Sequence, residues 1–175
     1  MKQILGLYAL LVGVLLFVSW SSQNNSLRSL FPGVEKEQAT PTPKPPKILK
    51  VQRATGGEVD IRIEVAKSEE ERRVGLSSRD SLNEDSGMLF AFDKMDVRPS
   101  FWMRDTKFAL DIIWINDGKI TQITANVPTV VDGTPDNKIQ LYLPHDPVDY
   151  VLEVNGGASK KWGIKIGDSL KIPAM

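Results

Sequence analysis

The chain has 175 residues, which is enough for one globular domain and an additional segment. Its 22 basic and 22 acidic side chains cancel, and this argues against a nucleic-acid-binding protein that relies on bulk positive charge. The sequence contains no cysteine, which excludes disulfides, thiol nucleophiles, iron–sulfur clusters and cysteine-based zinc sites. The single histidine, His145, excludes sites built from several histidines, and its Pro-His-Asp-Pro context predicts an exposed loop residue.

Residues 4–20 form an apolar run that follows Lys2. The run is close to the length that crosses a bilayer, so residues 1–20 predict either an uncleaved signal anchor or a cleaved signal peptide. The best cleavage signal, Ser19-Trp20-Ser21, is interrupted by a bulky tryptophan that suits a membrane interface, and this favours the anchor. The positive charge ahead of the run predicts a single-pass protein of the cell membrane, with its remaining chain on the extracytoplasmic side.

Residues 21–50 are predicted to be a linker, because they are polar and then rich in proline. The alternating prolines of residues 40–47 favour an extended, semi-rigid spacer. The linker also divides the charge: residues 1–50 carry six basic and two acidic side chains, whereas residues 51–175 carry 16 basic and 20 acidic ones. The predicted globular domain, residues 51–175, is therefore mildly acidic, and we expect no nucleic-acid partner.

The clearest local patterns of the domain are one strand, one helix and a buried strand. Residues 59–65 alternate between apolar and charged side chains, which predicts a half-buried strand. Ser68 and Glu71 have the spacing of a capping box and predict a short helix, which Gly75 is expected to end. Residues 110–115 are almost entirely apolar and predict a central strand covered on both faces.

The rest of the domain is predicted to be strands separated by turns. Further strands are predicted at 88–92, 101–103, 119–127, 139–143, 150–154 and 169–172. Asn116-Asp117-Gly118 predicts a hairpin turn, residues 128–137 a long loop, and residues 158–162 a helical turn. This pattern indicates an all-β or β-rich α+β domain: a compact, barrel-like, mostly antiparallel sheet with one or two short helices, preceded by an N-terminal transmembrane or signal helix and a linker.

The sequence lacks the common motifs of cofactor binding and nucleophilic catalysis. It contains no phosphate-binding loop, no glycine-rich dinucleotide fingerprint and no nucleophile elbow. Residues 132–137 place oxygen atoms at close spacing, but they lack the central glycine and the distal glutamate of an EF-hand, so they predict a turn. We therefore predict no cofactor and no metal site. An all-oxygen site for Ca²⁺ or Mg²⁺ from Asp105, Asp111 and Glu153 is the alternative.

The segment after Phe101 mixes apolar and polar side chains, which is typical of a small-molecule pocket. It contains Trp102, Met103, Arg104, Asp105 and Thr106. The same mixture fits a core strand that runs into a polar turn, above all for Phe101 and Met103. In an extended segment Trp102 and Arg104 share one face, which predicts a cation–π pair.

Two carboxylates on predicted strands are further candidates. Asp111 stands in an apolar strand and needs a partner there, with Arg79, Arg104 and loop amides as candidates. A structural buried interaction is the favoured interpretation, and a functional carboxylate is the alternative. Glu153 faces away from Tyr150, Leu152 and Val154 in its strand, toward solvent or into the lumen of a barrel. If the two carboxylates meet, they form an acid–base pair of the glycosidase kind.

Three segments in order resemble the domain-of-unknown-function family 192: residues 87–92, residues 101–106 and residues 110–112. Other landmarks of that family also match in order, namely Gly75-Leu76 with Arg79, the strand from Tyr150 to Glu153, Gly156-Gly157 and Gly167-Asp168. The resemblance covers about residues 58–172. It implies a compact β-rich domain that is often secreted or membrane-tethered in bacteria and archaea, and it implies no reaction.

The sequence departs from that family at two places. The family usually has methionine after Gly75-Leu76, where this chain has Ser77. The family usually has Lys-Asn-Thr after Trp-Met, where this chain has Arg104-Asp105-Thr106. The second departure places a carboxylate where an amide is usual, so a contact that needs the amide is not expected here.

Three functions remain open. The favoured one is an uncharacterised, membrane-tethered extracytoplasmic binding module for a small ligand or a cell-envelope component, with the ligand held by residues 102–106 near Arg79 and Asp111. The first alternative is an accessory protein that docks another envelope protein through Phe101 and Trp102. The second is a hydrolase that uses Asp105, Asp111 or Glu153 as acid and base.

Overall fold

The computed structural model describes residues 46–174, and these fold into a closed barrel of seven strands with two short α-helices. The strands are β1 (Lys47–Gln52), β2 (Glu58–Ala66), β3 (Ser86–Ala91), β4 (Leu110–Asn116), β5 (Lys119–Val127), β6 (Tyr150–Asn155) and β7 (Ser169–Lys171), and the helices are α1 (Glu69–Val74) and α2 (Ala158–Lys161). The order around the barrel is β1-β2-β3-β6-β4-β5-β7. Within the barrel only β2 and β3 pair in parallel, so the predicted β-rich, mostly antiparallel barrel is confirmed.

The predicted anchor at residues 4–20 and most of the predicted linker lie outside the described residues. Within residues 46–174, no helix is long and apolar enough to cross a membrane. Strand β1 begins at Lys47, inside the last residues of the range 21–50 that the sequence assigned to the linker. The sequence does not show the apolar alternation of this strand clearly, because lysines stand at positions 47 and 50 and prolines precede them.

Strands β3, β4 and β6 bury both of their faces, because the barrel interior and its outer face each carry an apolar cluster. The inner core, inside the barrel, contains residues such as Leu89, Ile113 and Leu152. The outer core lies on the opposite face of the same strands and contains residues such as Phe90 and Trp114. The segments 92–109 and 128–149 cover it, and this explains why the sequence of β4 is apolar on both faces.

Several local predictions are confirmed. Ser68 caps α1 in a capping box with Glu71, and Gly75 ends the helix with a φ of 49°. The hairpin at residues 116–118 joins β4 to β5, and β5 has the predicted bounds. The helical turn after Gly157 is also present as α2.

Two predicted strands, residues 101–103 and 139–143, are wrong. They meet in one isolated bridge, in which Phe101 and Tyr142 exchange backbone hydrogen bonds of 2.9 and 2.8 Å. Phe101, Met103 and Tyr142 pack onto the outer core as a cover, and their burial accounts for the strand-like pattern in segments that add no strand to the barrel. The other apolar side chains of these segments, such as Leu141 and Leu143, are exposed.

Asp111 holds together three parts of the chain. Its side chain is fully buried at the start of β4. One carboxylate oxygen accepts the backbone N–H groups of Asn126 and Gly157 at 2.7 and 2.8 Å. The other accepts the backbone N–H and the hydroxyl of Ser159 at 2.9 and 2.6 Å. Loop amides, which were among the candidate partners, therefore satisfy this carboxylate, as the structural interpretation expects.

The Asp111 contacts explain two unusual backbone conformations nearby. The register between β4 and β5 shifts between Leu110 and Ile112, and Asn126 opposite adopts a φ of 53°. A side chain on Gly156 would stand 2.8 Å from the Asn126 amide oxygen and 2.9 Å from the Ala109 Cβ, so only glycine fits. The bulge and the glycine turn thus pack against each other around one carboxylate.

We expect Asp111→Asn to lower the free energy of unfolding by about 2–4 kcal/mol. The asparagine amide replaces one acceptor oxygen by an NH₂ group, and this donor would face backbone N–H groups that are donors themselves. Chemical denaturation of a fragment of residues 46–175 measures this change. Ser159→Ala is the matched control, since it removes one hydroxyl from the same cluster and should cost only about 1 kcal/mol. An Asp111→Asn variant as stable as the wild type would show that this cluster does not stabilise the barrel.

Candidate functional site

A cavity of about 430 Å³ lies on the outer face of the barrel, between α1 and the segment 99–102. We call it the Glu153 cavity, after the carboxyl group that lines it. Its other lining residues include Arg72, Arg73, Val74, Leu76, Ser77, Phe90, Phe92, Phe101, Trp102, Thr106 and Leu141. Trp102 and Leu141 are 40% and 51% exposed at the mouth, where Glu69 and Arg73 are exposed too, whereas Leu76 and Phe90 are buried. Such a size and lining are typical of a small-molecule site.

Glu153 sits deep in this cavity. It lies on β6 opposite Met88 of β3 and Ile112 of β4, and it is 4% exposed. Among residues 46–174 its carboxyl group has no hydrogen-bond or ion-pair partner. In the described chain, the only fully occluded side-chain nitrogen or oxygen without a partner is Arg53 Nε. The Glu153 oxygens, which also lack a partner, are therefore not fully occluded and keep some access to the cavity. A buried polar group without a protein partner is rare and needs an explanation.

Burial raises the pKa of Glu153 to about 8. The cause is the loss of water around the carboxylate in apolar surroundings, which penalises the charged form. Two arginines line the same cavity, but other acceptors occupy them: Arg73 bonds to Glu70 at 2.6 and 2.9 Å, and Arg72 bonds to the Ala91 carbonyl at 2.9 Å. At neutral pH the Glu153 side chain is therefore mostly a neutral carboxylic acid, which both donates and accepts hydrogen bonds.

Three of the residues singled out in the sequence line this cavity: Trp102, Thr106 and Glu153. Met103 lies between them in sequence but is buried in the outer core. Phe101 also belongs to the core, since its ring meets those of Phe90 and Trp114 edge to face. Of the proposed docking pair Phe101 and Trp102, only Trp102 is exposed.

Arg104 and Asp105 lie in a separate, polar cleft of about 540 Å³. Arg104 binds Asp136 there, and its guanidinium carbon lies 5.6 Å from the Trp102 ring centroid. The predicted cation–π pair is thus confirmed. Asp105 is exposed, with a φ of 53°. The segment 102–106 therefore divides its side chains between two clefts and the core.

The remaining candidates lie elsewhere. Arg79 forms a two-pronged ion pair with Glu64 at 2.5 and 2.8 Å, so neither Arg79 nor Arg104 is the partner of Asp111. Asp111 pairs with Val154, on the inner face, whereas Glu153 lies on the outer face of β6. The two carboxylates therefore form no acid–base pair. The all-oxygen set with Asp105 is not assembled either, and no group of three or more acidic or histidine side chains clusters within the described residues.

The sequence reasoning missed most of the cavity walls. Phe90 and Phe92 were assigned only to a strand, and Leu141 to a strand that does not form. Ser77 also lines the cavity, and its hydroxyl donates to the Arg104 carbonyl at 3.2 Å. The departure from methionine at this position was a usable signal, because a smaller side chain leaves more space at a ligand site.

We expect Glu153→Gln to change the pH dependence of stability. The folded-state pKa of about 8 exceeds the ordinary value of 4.5, so the native state binds this proton more tightly than the unfolded state does. The wild-type free energy of unfolding should therefore fall between about pH 5 and pH 8, by up to about 1.4 kcal/mol per pH unit relative to Glu153→Gln. Chemical denaturation across this range measures the difference.

Glu64→Gln is the control for that experiment. In the wild type, the hydrogen bond with Arg79 lowers the pKa of the Glu64 carboxyl. The contribution of Glu64 to stability therefore changes only below about pH 4.5. The control should keep the wild-type slope from pH 5 to pH 8. Equal slopes in the wild type and Glu153→Gln would mean that Glu153 is hydrated in the folded protein.

Comparison with solved structures finds five matching chains, which include the following two. A crystal structure from Sinorhizobium meliloti 1021, described as a "putative transcription regulator", is 31% identical with a TM-score of 0.65, over 72% of this chain and 92% of its own. A protein of unknown function from Novosphingobium aromaticivorans DSM 12444 is 29% identical with a TM-score of 0.66, over 81% of this chain and 99% of its own. The match to the Sinorhizobium protein spans about the length of the described domain, so in that protein the domain folds without a second one.

No curated protein matches the chain. The family model DUF192, described as "Uncharacterized ACR, COG1430", matches residues 51–172. The match spans more than half of the chain and includes every barrel strand from β2 to β7. The chain therefore belongs to the DUF192 family, a family of unestablished activity.

Proposed function

We propose that this protein is a membrane-tethered, extracytoplasmic module that binds a small, largely apolar molecule in the Glu153 cavity. The single observation that carries the proposal is the buried Glu153 carboxyl, which has no partner among residues 46–174 and lies within an aromatic cavity. A protein that only needed a stable core would gain from an apolar residue at this position, because burying an unpaired polar group costs free energy. A ligand that hydrogen-bonds to Glu153 compensates that cost.

The shape of the cavity supports a ligand of about one or two rings. A volume of about 430 Å³ lies within the range of small-molecule sites. Phe90, Phe92 and Phe101 supply apolar walls, and Thr106 and Ser77 supply hydroxyl groups beside them. The exposed side chains of Trp102 and Leu141 at the mouth add contact area for the outer part of the ligand.

We expect a neutral aromatic probe, benzyl alcohol or indole, to bind the 46–175 fragment saturably, as measured by ligand-detected NMR. Trp102→Ala and Leu141→Ala should weaken binding by about 1 kcal/mol, or about fivefold, because each removes apolar contact area at the mouth. Circular dichroism should show that both variants remain folded, since both side chains are substantially exposed.

Leu143→Ala is the matched control for Leu141→Ala. Leu143 lies two residues further along the same segment and is exposed to the same degree, but it does not line the cavity. It should leave binding unchanged. If neither probe saturates, or if Leu143→Ala weakens binding as much as Leu141→Ala, the cavity is not a ligand site, and docking of an envelope protein becomes the better hypothesis.

The tether is the second part of the proposal and rests on the sequence. Residues 4–20 supply an apolar run of nearly bilayer length, and residues 21–46 supply a polar and proline-rich spacer. An uncleaved anchor in this position holds the domain at the extracytoplasmic face of the membrane, where it meets small molecules of the envelope.

We expect the full chain, expressed in a bacterial host, to remain in the membrane fraction after an alkaline wash, because an apolar segment of this length stays inserted. The mass of the purified protein should include residues 1–20. A variant that lacks residues 1–20 is the control and should be soluble. A shorter mature protein in the soluble periplasmic fraction would mean that the segment is a cleaved signal peptide.

A further inference from the structure

The charges that line the Glu153 cavity are unevenly paired. Both arginines of the wall have carboxylate partners: Arg73 binds Glu70, and Arg72 lies 3.4 Å from Asp93. Arg72 also lies over the Phe92 ring, with its guanidinium carbon 5.6 Å from the ring centroid. The two positive charges of the wall are therefore already compensated by the protein.

The two carboxyl groups of the wall have no such partners among the described residues. Glu69 is exposed at the start of α1, and Glu153 is buried deep in the cavity. The elements packed around Glu153 are β3, β4, α1 and the segment 99–106, and the ionisable groups that they direct into the cavity are Glu69, Arg72 and Arg73. The uncompensated charge of the cavity is therefore negative whenever Glu153 ionises, so a cation complements it.

The walls favour the same kind of ligand. Phe90 and Phe101 meet edge to face with their ring centroids 4.9 Å apart, and the Trp102 ring already accepts the guanidinium of Arg104. The face of an aromatic ring attracts a cation, and this attraction is stronger where water is excluded. An ammonium group beside Glu153 would therefore gain from both the carboxylate and the rings.

Resting on the binding function proposed above, we propose that the ligand of the Glu153 cavity is a small organic cation: an ammonium group on an apolar, ring-sized body, with the ammonium group hydrogen-bonded to Glu153. In the ligand-free protein the Glu153 carboxyl is neutral, so binding of a cation changes the number of bound protons. Glu153 loses its proton to solvent when the cation enters, and the carboxylate then pairs with the ammonium. One proton is released for each ligand bound below the pKa of the free protein, which burial raises to about 8.

The experiment uses three probes of similar size on the independently folding 46–175 fragment: benzylamine, benzyl alcohol and benzoate, which are a cation, a neutral isostere and an anion. Calorimetric titration at pH 7 should give benzylamine at least tenfold tighter binding than benzyl alcohol. Between pH 6 and pH 7.5 the affinity for benzylamine should rise about tenfold per pH unit, while that for benzyl alcohol should not rise. Titration in buffers of different ionisation enthalpy should show release of about one proton.

Glu153→Gln is the decisive variant, since it keeps the shape of the side chain and removes its titration. It should abolish the preference for benzylamine over benzyl alcohol, the pH dependence and the proton release. Glu69→Gln, at the exposed end of the cavity, should weaken benzylamine binding only two- to threefold. Circular dichroism confirms folding of both variants.

The outcomes separate the two proposals. If none of the three probes saturates, the binding function itself is wrong. If benzyl alcohol binds as tightly as benzylamine, or if benzoate binds most tightly, binding stands and the cationic ligand is wrong. The cationic ligand is also wrong if the preference for benzylamine survives in Glu153→Gln.

Discussion

The buried carboxylate of Asp111 is the constraint on which the rest of the domain depends. A carboxylate is costly inside an apolar core, and Asp111 meets this cost with four hydrogen bonds from three residues, one in β5 and two at the start of α2. Those bonds fix the β5 bulge and the start of α2 relative to β4. Since β4 pairs directly with β6, the same cluster sets the position of the strand that carries Glu153.

Two other buried aspartates follow the same rule. Asp149 accepts the backbone N–H groups of Asp96 and Asp117, and Asp168 accepts those of Ala54 and Lys165. Each of these carboxylates accepts hydrogen bonds from loop residues that have no strand partner, because buried backbone N–H groups must find an acceptor. Glu153 differs from all three aspartates: it is equally buried, yet no backbone donor turns toward it. This contrast separates carboxyl groups that hold loops together from the one whose hydrogen-bonding capacity the fold leaves unused.

The cavity itself exists because the barrel is covered on its outer face. The interior of this barrel is filled by the side chains of the inner core. The outer core creates a second apolar layer, in which the cover segments need not pack as tightly as strands do. The gap between α1 and the segment 99–102 is such a place, and Trp102 and Leu141 are exposed at its mouth.

Much of the fold and part of the candidate site could be predicted from the sequence. Alternation at residues 59–65, the capping box at Ser68 and the hairpin at residues 116–118 are local patterns, so they specified β2, α1 and the β4–β5 pair without knowledge of the rest. Trp102 and Glu153 were recognised as candidates from their neighbours in sequence. The membrane segment at 4–20 is likewise a prediction of the sequence and lies outside the described residues.

Tertiary structure alone decided which of those residues meet. The period of a strand predicts that Glu153 and Leu152 face opposite ways, but it does not tell which face is covered; closure of the barrel and the cover segments make the outer face a buried one. The separation of Asp111 from Glu153 depends on the register of β4 against β6. The cavity brings together residues from positions 69 to 153, and contacts across such distances depend on the packing of the whole chain, which no local pattern contains.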